Sequence, residues 1–528
     1  MTVGPADNGL GSWPARRARM EPGATALVQD GRRLTYQELR QRSVALARAL
    51  AVEGVRAGHR VAYLGPNDIA TFETLFATAQ LGAIFVPLNT RLAPPEIAFM
   101  IDDCAPEVLV VDAALEPVAA AALATTAQVP RVLHLDPSHG PGYEEAIAAH
   151  DAALPVTATV ELDDPALILY TSGTTGRPKG AVLTHGNLTF NTVNQLAHFP
   201  LSRDDVALCS APLFHVLGLG QVTLPTLFVG GTVVVIPKFS PEPFLSAIRE
   251  ARATVFPLAP TMLQMLCEHP DFDATDLGSV RYIVYGGSPI PARVAARWLE
   301  RGITMLQGYG MTEASPGVLM AMGHGTLERP VSAGVPHFFT DVALRRKDGI
   351  ITSGPGQGEL LIRGPNVLRR YWNRPEETAA AFSGGWFATG DIVRIDPDGW
   401  AYIVDRVKDM IISGGENIYP AEVEAAITEL PQVSEAAVIG VTDPRWGEVG
   451  LAFIVPADIT ASDGKPVTET EIRDHLARRL ARYKIPRSFH FTDTLPRNAS
   501  GKLLRHQLRH QLRPQAGDVT HPQESSPQ

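Results

Sequence analysis

Residues 170–180 read YTSGTTGRPKG, a run in which seven of eleven residues are Gly, Ser or Thr and which Lys179 closes ahead of a final glycine. The apolar run 166–169 in front of it predicts a strand buried within a sheet. Gly173 and Gly176 free the backbone to bend, so that amide N–H groups can converge on one anion. The hydroxyls of Thr171, Ser172, Thr174 and Thr175 offer further donors, and Lys179 offers charge. The stretch does not match the G-x-x-x-x-G-K-[ST] spacing of a Walker A loop, so a P-loop NTPase is excluded. The pattern predicts a phosphate cradle at the end of a strand.

Outward from this stretch, short apolar runs at 61–64, 83–86, 108–111, 167–170, 233–236, 254–258 and 282–285 alternate with helical stretches. Near-continuous β-branched runs between helices predict parallel strands covered on both faces. Thr35 with Glu38 three residues later has the spacing of a helix-opening capping box, and apolar residues then recur at helical intervals to Val52. Residues 1–22, rich in Gly, Pro and Arg, read as a mobile lead. After about residue 340 the Gly-punctuated runs GELLIRG (358–364) and GWAYIVDR (399–406) predict an antiparallel, barrel-like sheet. Beyond Lys408 a smaller unit follows. Its expected elements are a helix from Pro420, strands at 436–441 and 451–455, and a helix from Thr468 with Glu471 in capping-box position. The expected fold class is α/β. A large domain, 1–407, comprises two packed α/β sheet lobes and a β-barrel-like subdomain. A small mobile α+β lid, 408–513, and a disordered tail, 514–528, complete it.

With 528 residues the chain is too long for one core. Its 46 basic and 56 acidic residues give a net charge of -10, which argues against non-specific nucleic-acid binding and requires polyanions to be met by local patches. Cys104, Cys209 and Cys267 are scattered and odd in number, indicating neither a disulfide framework nor a zinc site. The cytoplasm is the expected compartment. The N-terminus lacks the apolar core of a signal peptide, and the most apolar region, 212–236, is broken by His215, Gln221, Pro225 and several glycines, so no membrane span is expected.

A second signature, QGYGMTEA (307–314), follows the apolar run 303–306. Gly308 and Gly310 allow backbone to approach a ligand, Tyr309 offers a flat ring for a purine, and Thr312 and Glu313 set a hydroxyl beside a carboxylate. Mg²⁺ on a nucleotide needs one or two carboxylates plus phosphate oxygens. A third group, TGD (389–391) and VDRVKDMI (404–411), supplies a carboxylate and a guanidinium suited to ribose hydroxyls. Lys408 lies where the two textures meet, a short polar junction compatible with rigid-body rotation. Gly414 and Gly415 in SGGEN (413–417) give a thin backbone passage, and LPRNASGK (495–502) presents Lys502 on a turn. The neighbouring Arg478, Arg479, Arg497 and Arg505 read as a solvated helix face, and Lys238 as a surface lysine. His215 is a polar ring inside the apolar run APLFHVLGLG (211–220).

These strings resemble, in order from about residue 24 to residue 505, the adenylate-forming (ANL) superfamily of acyl-CoA synthetases, peptide-synthetase adenylation domains and firefly luciferase. The resemblance implies ATP, Mg²⁺ and coenzyme A as ligands. It assigns Thr171, Ser172, Gly173, Thr174, Thr175, Gly176 and Lys179 to the phosphates, and Gly287, Ser288, Gln307, Gly308, Tyr309, Gly310 and Met311 to the nucleotide. Tyr309 is expected to stack on adenine, Thr312 to touch the α-phosphate, Glu313 to hold the metal, and Asp391 with Arg406 to bind ribose. Lys408 is the expected hinge, Gly414 and Gly415 the pantetheine passage, and Lys502 the cation of the adenylation step. His215, Val216, Gly286, Gly308, Met311 and Gly317 are expected around the acid, His215 also gating the thiol tunnel. Gly286, Gly308 and Gly317 withhold side chains and Val216, Leu217, Met311 and Val318 are apolar, so a roomy hydrophobic pocket is expected. Amino-acid-activating relatives carry an aspartate for the α-ammonium near here, and residues 213–220 contain no carboxylate. The expected function is an AMP-forming synthetase that converts a fatty, aryl or alicyclic acid to its CoA thioester. A stand-alone adenylating enzyme serving a carrier protein in trans, or a non-catalytic nucleotide-binding protein, are the alternatives. No motif specifies an oligomer.

Overall fold

The computed structural model describes residues 7–150, 158–171, 178–286, 290–323, 329, 331–346, 348–406, 409–413, 416–443, 446–457, 466–480, 482–498 and 503–511. The apolar run before the glycine-rich stretch is the strand Pro165–Thr171, and the chain returns antiparallel as Lys179–Thr184. The phosphate-loop candidate is therefore the connection of a hairpin. The sequence reading supplied only its first strand.

That hairpin belongs to a seven-stranded sheet in the order Arg370–Tyr371, Lys179–Thr184, Pro165–Thr171, Ile84–Pro87, Arg60–Leu64, Val108–Val111, Arg131–His134. Its pairings from Pro165–Thr171 to Arg131–His134 are parallel, as β-branched runs between helices predict. A second, nine-stranded sheet runs Val335–Pro336, Gly317–Met320, Thr304–Gly310, Tyr282–Gly286, Val255–Leu258, Val206–Cys209, Thr232–Val235, Thr25–Gln29, Arg32–Thr35. It is parallel through its middle. The antiparallel texture expected after residue 340 is a six-stranded sheet that includes Asp341–Arg345, Gly356–Arg363 and Trp386–Ile395.

One apolar cluster runs through all three sheets, joining Val61, Val110 and Leu167 to Leu27, Val233 and Val284 and to Leu360 and Ile362. The helix Ile69–Gln80 is buried along its whole length, so its polar residues must be satisfied internally. Glu73, fully buried, takes Arg42 and the Tyr143 hydroxyl as partners. The helix Tyr36–Val52 begins at Thr35 with the capping box intact.

Residues 10–20 depart from the expected mobile lead. Trp13–Met20 is a helix with Pro14 in its first turn, and Leu10, Trp13 and Ala18 are buried in the main cluster. Arg16 and Arg19 are exposed, whereas Arg17 is part-buried and donates to the Phe228 carbonyl. In a composition count the three arginines hide the apolar residues that pin the helix.

The chain divides into two compact units, Met1–Ile403 and Val404–Gln528. In the second, Val433–Asp443 and Gly447–Pro456 form a long hairpin, and Ser488–Phe491 joins it in parallel. The helices Pro420–Thr428 and Glu469–Ala477 cover a core of Val423, Ile427, Val438, Ile454 and Leu476, and Thr468 caps the latter helix with Glu471. Arg505 is not on a solvated face as expected: its guanidinium donates to Glu424 at 2.6 Å and lies 3.8 Å from Asp409. The expected tail lies outside the described residues.

Candidate active site

In the first unit the sequence signatures follow the carboxyl ends of parallel strands, where open α/β sheets bind ligands. The phosphate-loop candidate follows Pro165–Thr171, the His215 segment follows Val206–Cys209, and the Thr312–Ala314 turn follows Thr304–Gly310. Residues 307–310 are themselves strand, paired with Tyr282–Gly286 on one side and Gly317–Met320 on the other. Gly310 there answers to a close neighbour in the fold rather than to a ligand. A Cβ on Gly310 would lie 2.0 Å from the Pro316 carbonyl oxygen.

Glu313 sits in the short turn after this strand and is 9% exposed. The Tyr371 hydroxyl donates to its Oε1 at 2.9 Å, and the Leu368 amide donates to its backbone carbonyl at 2.8 Å. Burial and the Glu313 charge push the Tyr371 phenol up, so it stays a donor. The Lys179 ammonium lies 5.6 Å from the centroid of the same ring. Tyr371 therefore brings the closing cation of one signature beside the carboxylate of the other. Thr171, paired with Lys179 across the hairpin, donates its hydroxyl to the Lys179 carbonyl at 3.4 Å.

The Tyr309 hydroxyl donates to Asp391 Oδ2 at 2.6 Å, and the Asp391 amide donates to Thr389 Oγ1. Asp391 is 3% exposed. Two residues 82 positions apart thus meet directly, which suits a nucleoside whose base and sugar are recognised side by side.

Residues 14–372 match the model of the AMP-binding enzyme family, and residues 422–502 match that of the AMP-binding enzyme C-terminal domain. The chain belongs to the AMP-binding enzyme family. It is 50% identical over 504 residues to feruloyl-CoA synthase of Amycolatopsis sp, covering 95% of this chain and 99% of that protein. It is 40% identical to indoleacetate–CoA ligase of Aromatoleum aromaticum, covering 95% and 97%. Among solved structures, O-succinylbenzoate coenzyme A synthetase (MenE) from Bacillus subtilis, in complex with ATP and magnesium ion, superposes with a TM-score of 0.83 at 34% identity, covering 94% and 99%.

For this AMP-binding enzyme, Ser172, Gly173, Thr174, Thr175, Gly176, Gly287, Ser288, Lys408, Gly414, Gly415 and Lys502 lie outside the described residues, and Arg406 ends the strand Ala401–Arg406. Lys238 is exposed, as expected. Gln307 accepts from the Tyr285 hydroxyl at 3.3 Å.

The acid-binding candidates divide by packing. His215 precedes the helix Val216–Gly220, which is seated on the Glu313 turn: a Cβ on Gly220 would lie 2.3 Å from the Ser315 carbonyl oxygen. Burial lowers the His215 imidazole to about 4, with the Arg91 charge adding to it, so the ring is neutral at physiological pH. Its Nε2 is buried without a hydrogen-bond partner among the described residues. Gly308 leaves room, because a Cβ there would find its nearest atom, Gln221 Nε2, at 3.6 Å. Gly286 and Gly317 do not leave room in the way expected. A Cβ on Gly286 would lie 2.5 Å from the Gly308 carbonyl, and one on Gly317 would lie 2.7 Å from His337 Nε2 and 2.9 Å from Gln195 Nε2. Both are glycine because neighbours come close.

Those neighbours form a buried polar net that sequence reasoning missed. Gln221 donates to Gln195, Gln195 to Asn191, and Asn191 joins Gly220 to Gly317 through its amide, donating to one and accepting from the other. Asn366 donates to the carbonyls of Ala314 and Gly317 at 3.1 and 2.7 Å. The only signal the sequence offered is the helical spacing of Asn187, Asn191, Asn194 and Gln195 along His185–His198; Gln221 and Asn366 lie outside helices. A cavity of about 340 Å³ bordered by Asn187, Phe190, Arg363 and Arg369 includes none of the candidate site residues.

Proposed function

We propose that the acid activated by this enzyme is hydrophobic and carries an aromatic ring, and that coenzyme A is the acceptor. The chain is an AMP-forming acid–thiol ligase, given its family and its near full-length likeness to CoA ligases. The observation that carries the adenylation chemistry is the meeting of Lys179, Tyr371 and Glu313, which sets a cation over the face of one ring and a carboxylate at its hydroxyl. The aryl preference is supported by the room at Gly308, by buried Val216 and Val318, and by two relatives whose names give aryl acids.

In the first half-reaction the acid's carboxylate oxygen attacks the α-phosphorus of ATP. The bond to the bridging oxygen breaks, and pyrophosphate leaves with that electron pair. In the second, a thiol sulfur attacks the acyl carbon, the bond from that carbon to the phosphate oxygen breaks, AMP leaves with the electron pair, and the thiol proton passes to solvent. Lys179 and the hydroxyls of the hairpin connection hold the phosphates, Tyr309 and Asp391 the nucleoside, and Thr312 the α-phosphate. Glu313 is the residue that would hold Mg²⁺. Among the described residues no group of three His, Cys, Asp or Glu could bind a metal unaided, and a single carboxylate completed by phosphate oxygens suits magnesium. When bound, the ion neutralises phosphate charge in the transition state. Lys502 would be brought to the α-phosphate by rotation of the second unit about Lys408, and the passage at Gly414 and Gly415 would replace it for the thiol step. The neutral His215 borders the acid and thiol path. Cytoplasmic residence belongs to the proposal, supported by three buried thiols in Cys104, Cys209 and Cys267.

The test is ATP–pyrophosphate exchange across a panel of fatty, phenylpropenoic, indolic, short and amino acids, followed by thioester formation with CoA or a phosphopantetheinyl carrier protein. Highest kcat/KM on a ring-bearing acid with CoA is expected. Preference for amino or short polar acids would overturn the substrate assignment, and transfer to the carrier alone would overturn the acceptor.

A further inference from the structure

The strand Arg370–Tyr371 is two residues long and sits at the edge of a sheet whose other strands come from residues 60–184. Tyr371 is paired with Ala181, antiparallel. Residues two apart on a strand share a face, so Lys179 is the diagonal neighbour of Tyr371 on its own face of the sheet. This register explains the 5.6 Å approach of the ammonium to the ring.

The same segment grips Glu313 twice, through the Leu368 amide on its carbonyl and the Tyr371 hydroxyl on its carboxylate. Beyond Tyr371, the Trp372 amide donates to the Gly180 carbonyl at 2.7 Å. The Trp372 indole donates to the Asp103 carbonyl and Arg374 to Asp103 Oδ1, both at 2.9 Å. Asp103 Oδ2 accepts from Tyr170, the residue next to the phosphate-loop candidate, at 2.8 Å. The segment is thus fastened at both ends, once to the Glu313 turn and once to the strands flanking the loop.

We infer that Tyr371 is a positioning residue that couples the phosphate-loop lysine to the metal-holding carboxylate, so that Lys179 and Glu313 meet the triphosphate as a preset pair. Its hydroxyl fixes the Glu313 carboxylate, and its ring face sets the Lys179 ammonium. A phenol supplies both at one position, a donor at its tip and a π-face at its side. Partners that orient a metal ligand commonly govern metal affinity as strongly as activity. The inference rests on the adenylation chemistry proposed above.

Two variants separate the two functions of the side chain. Tyr371→Phe keeps the ring and removes the hydroxyl, whereas Tyr371→Leu removes both. The probe is Mn²⁺ with an ATP analogue bearing a methylene between its α- and β-phosphates, free Mn²⁺ being read by electron paramagnetic resonance. Binding of the metal-free analogue is measured separately by calorimetry. Tyr371→Phe should weaken Mn²⁺ in the ternary complex roughly 10-fold and leave the metal-free analogue within about twofold. Tyr371→Leu should also weaken the metal-free analogue, by roughly 5-fold. Unchanged Mn²⁺ binding in Tyr371→Phe would overturn the inference. Equal losses of metal and metal-free analogue in both variants would also overturn it, because they would signal general loosening of the edge strand. Failure of the unsubstituted chain to bind Mn²⁺ with the analogue would instead overturn the functional reading beneath it.

Discussion

Gly308→Ala should separate the acid site from the fold. The added methyl would stand 3.6 Å from Gln221 Nε2, 3.8 Å from the Tyr285 carbonyl and 3.9 Å from the Leu319 carbonyl, all ordinary contacts. Stability should therefore change by no more than about 0.5 kcal/mol. If that space receives the acid, one methyl group of lost depth costs about 1–3 kcal/mol of discrimination, or roughly 10–200-fold in kcat/KM. The loss should fall on ring-bearing acids and spare short ones. Gly317→Ala is the control, because its methyl would press to 2.7 Å of His337 Nε2 and 2.9 Å of Gln195 Nε2, both residues being fully buried. Overpacking of that kind costs about 1–3 kcal/mol of stability. Denaturant unfolding, with pyrophosphate exchange on a ring-bearing and a short acid, gives both readouts. Gly308→Ala losing as much stability as Gly317→Ala, or losing all acids equally, would refute the placement of the acid against Gly308.

The remaining predictions concern acid stability, the buried tie at Asn366 and the lid. His185 is fully buried, accepts from the Leu10 amide at 3.1 Å, and is lowered by burial to about 4. The unfolded chain therefore takes up a proton near pH 6.5 that the native chain refuses, so this stability is present above pH 6.5 and lost as pH falls toward 4. Urea midpoints at pH 7 and pH 5 should show about 2 kcal/mol less of this loss in His185→Gln; an identical loss in both proteins would refute it. Asn366→Ala strips two carbonyls and the Thr340 hydroxyl of a buried partner, and should cost about 2–4 kcal/mol in denaturant unfolding. A cost under about 1 kcal/mol would show those groups satisfied elsewhere. Lys502→Ala should abolish pyrophosphate release while sparing thiolation of a supplied acyl adenylate, and equal loss of both steps would refute its assignment.

Elements whose stability is local were legible in the sequence. Strands such as Val108–Val111, buried on both faces, declare themselves as apolar runs. Thr35 and Thr468 declare helix starts because the cap and its glutamate lie within one turn. The lead helix was hidden because three buried residues, Leu10, Trp13 and Ala18, decide its fate within a run of Gly, Pro and Arg. Gly286 and Gly317 were assigned to pocket volume because a sequence cannot say whether the space withheld by a glycine faces a ligand or a neighbouring carbonyl.

The candidate site shows the same division more sharply. The glycine-rich and QGYGMTEA signatures were each legible, yet they stand in different sheets, and neither contains the groups that bring them together. That work falls to residues 366–374, where Asn366 and Leu368 bind the second signature, and Tyr371 and Trp372 pair with the strand that leaves the first. Each tie joins residues about 50 to 270 positions apart, as the separations of Asn366 from Gly317 and of Trp372 from Asp103 illustrate. No periodicity or spacing rule reaches that far. A two-residue strand has no pattern to detect, and a tyrosine among arginines and tryptophan reads as surface. Substitutions in this segment would leave both signatures intact in sequence while removing what holds them side by side, so its loss should uncouple phosphate binding from metal binding before it abolishes either.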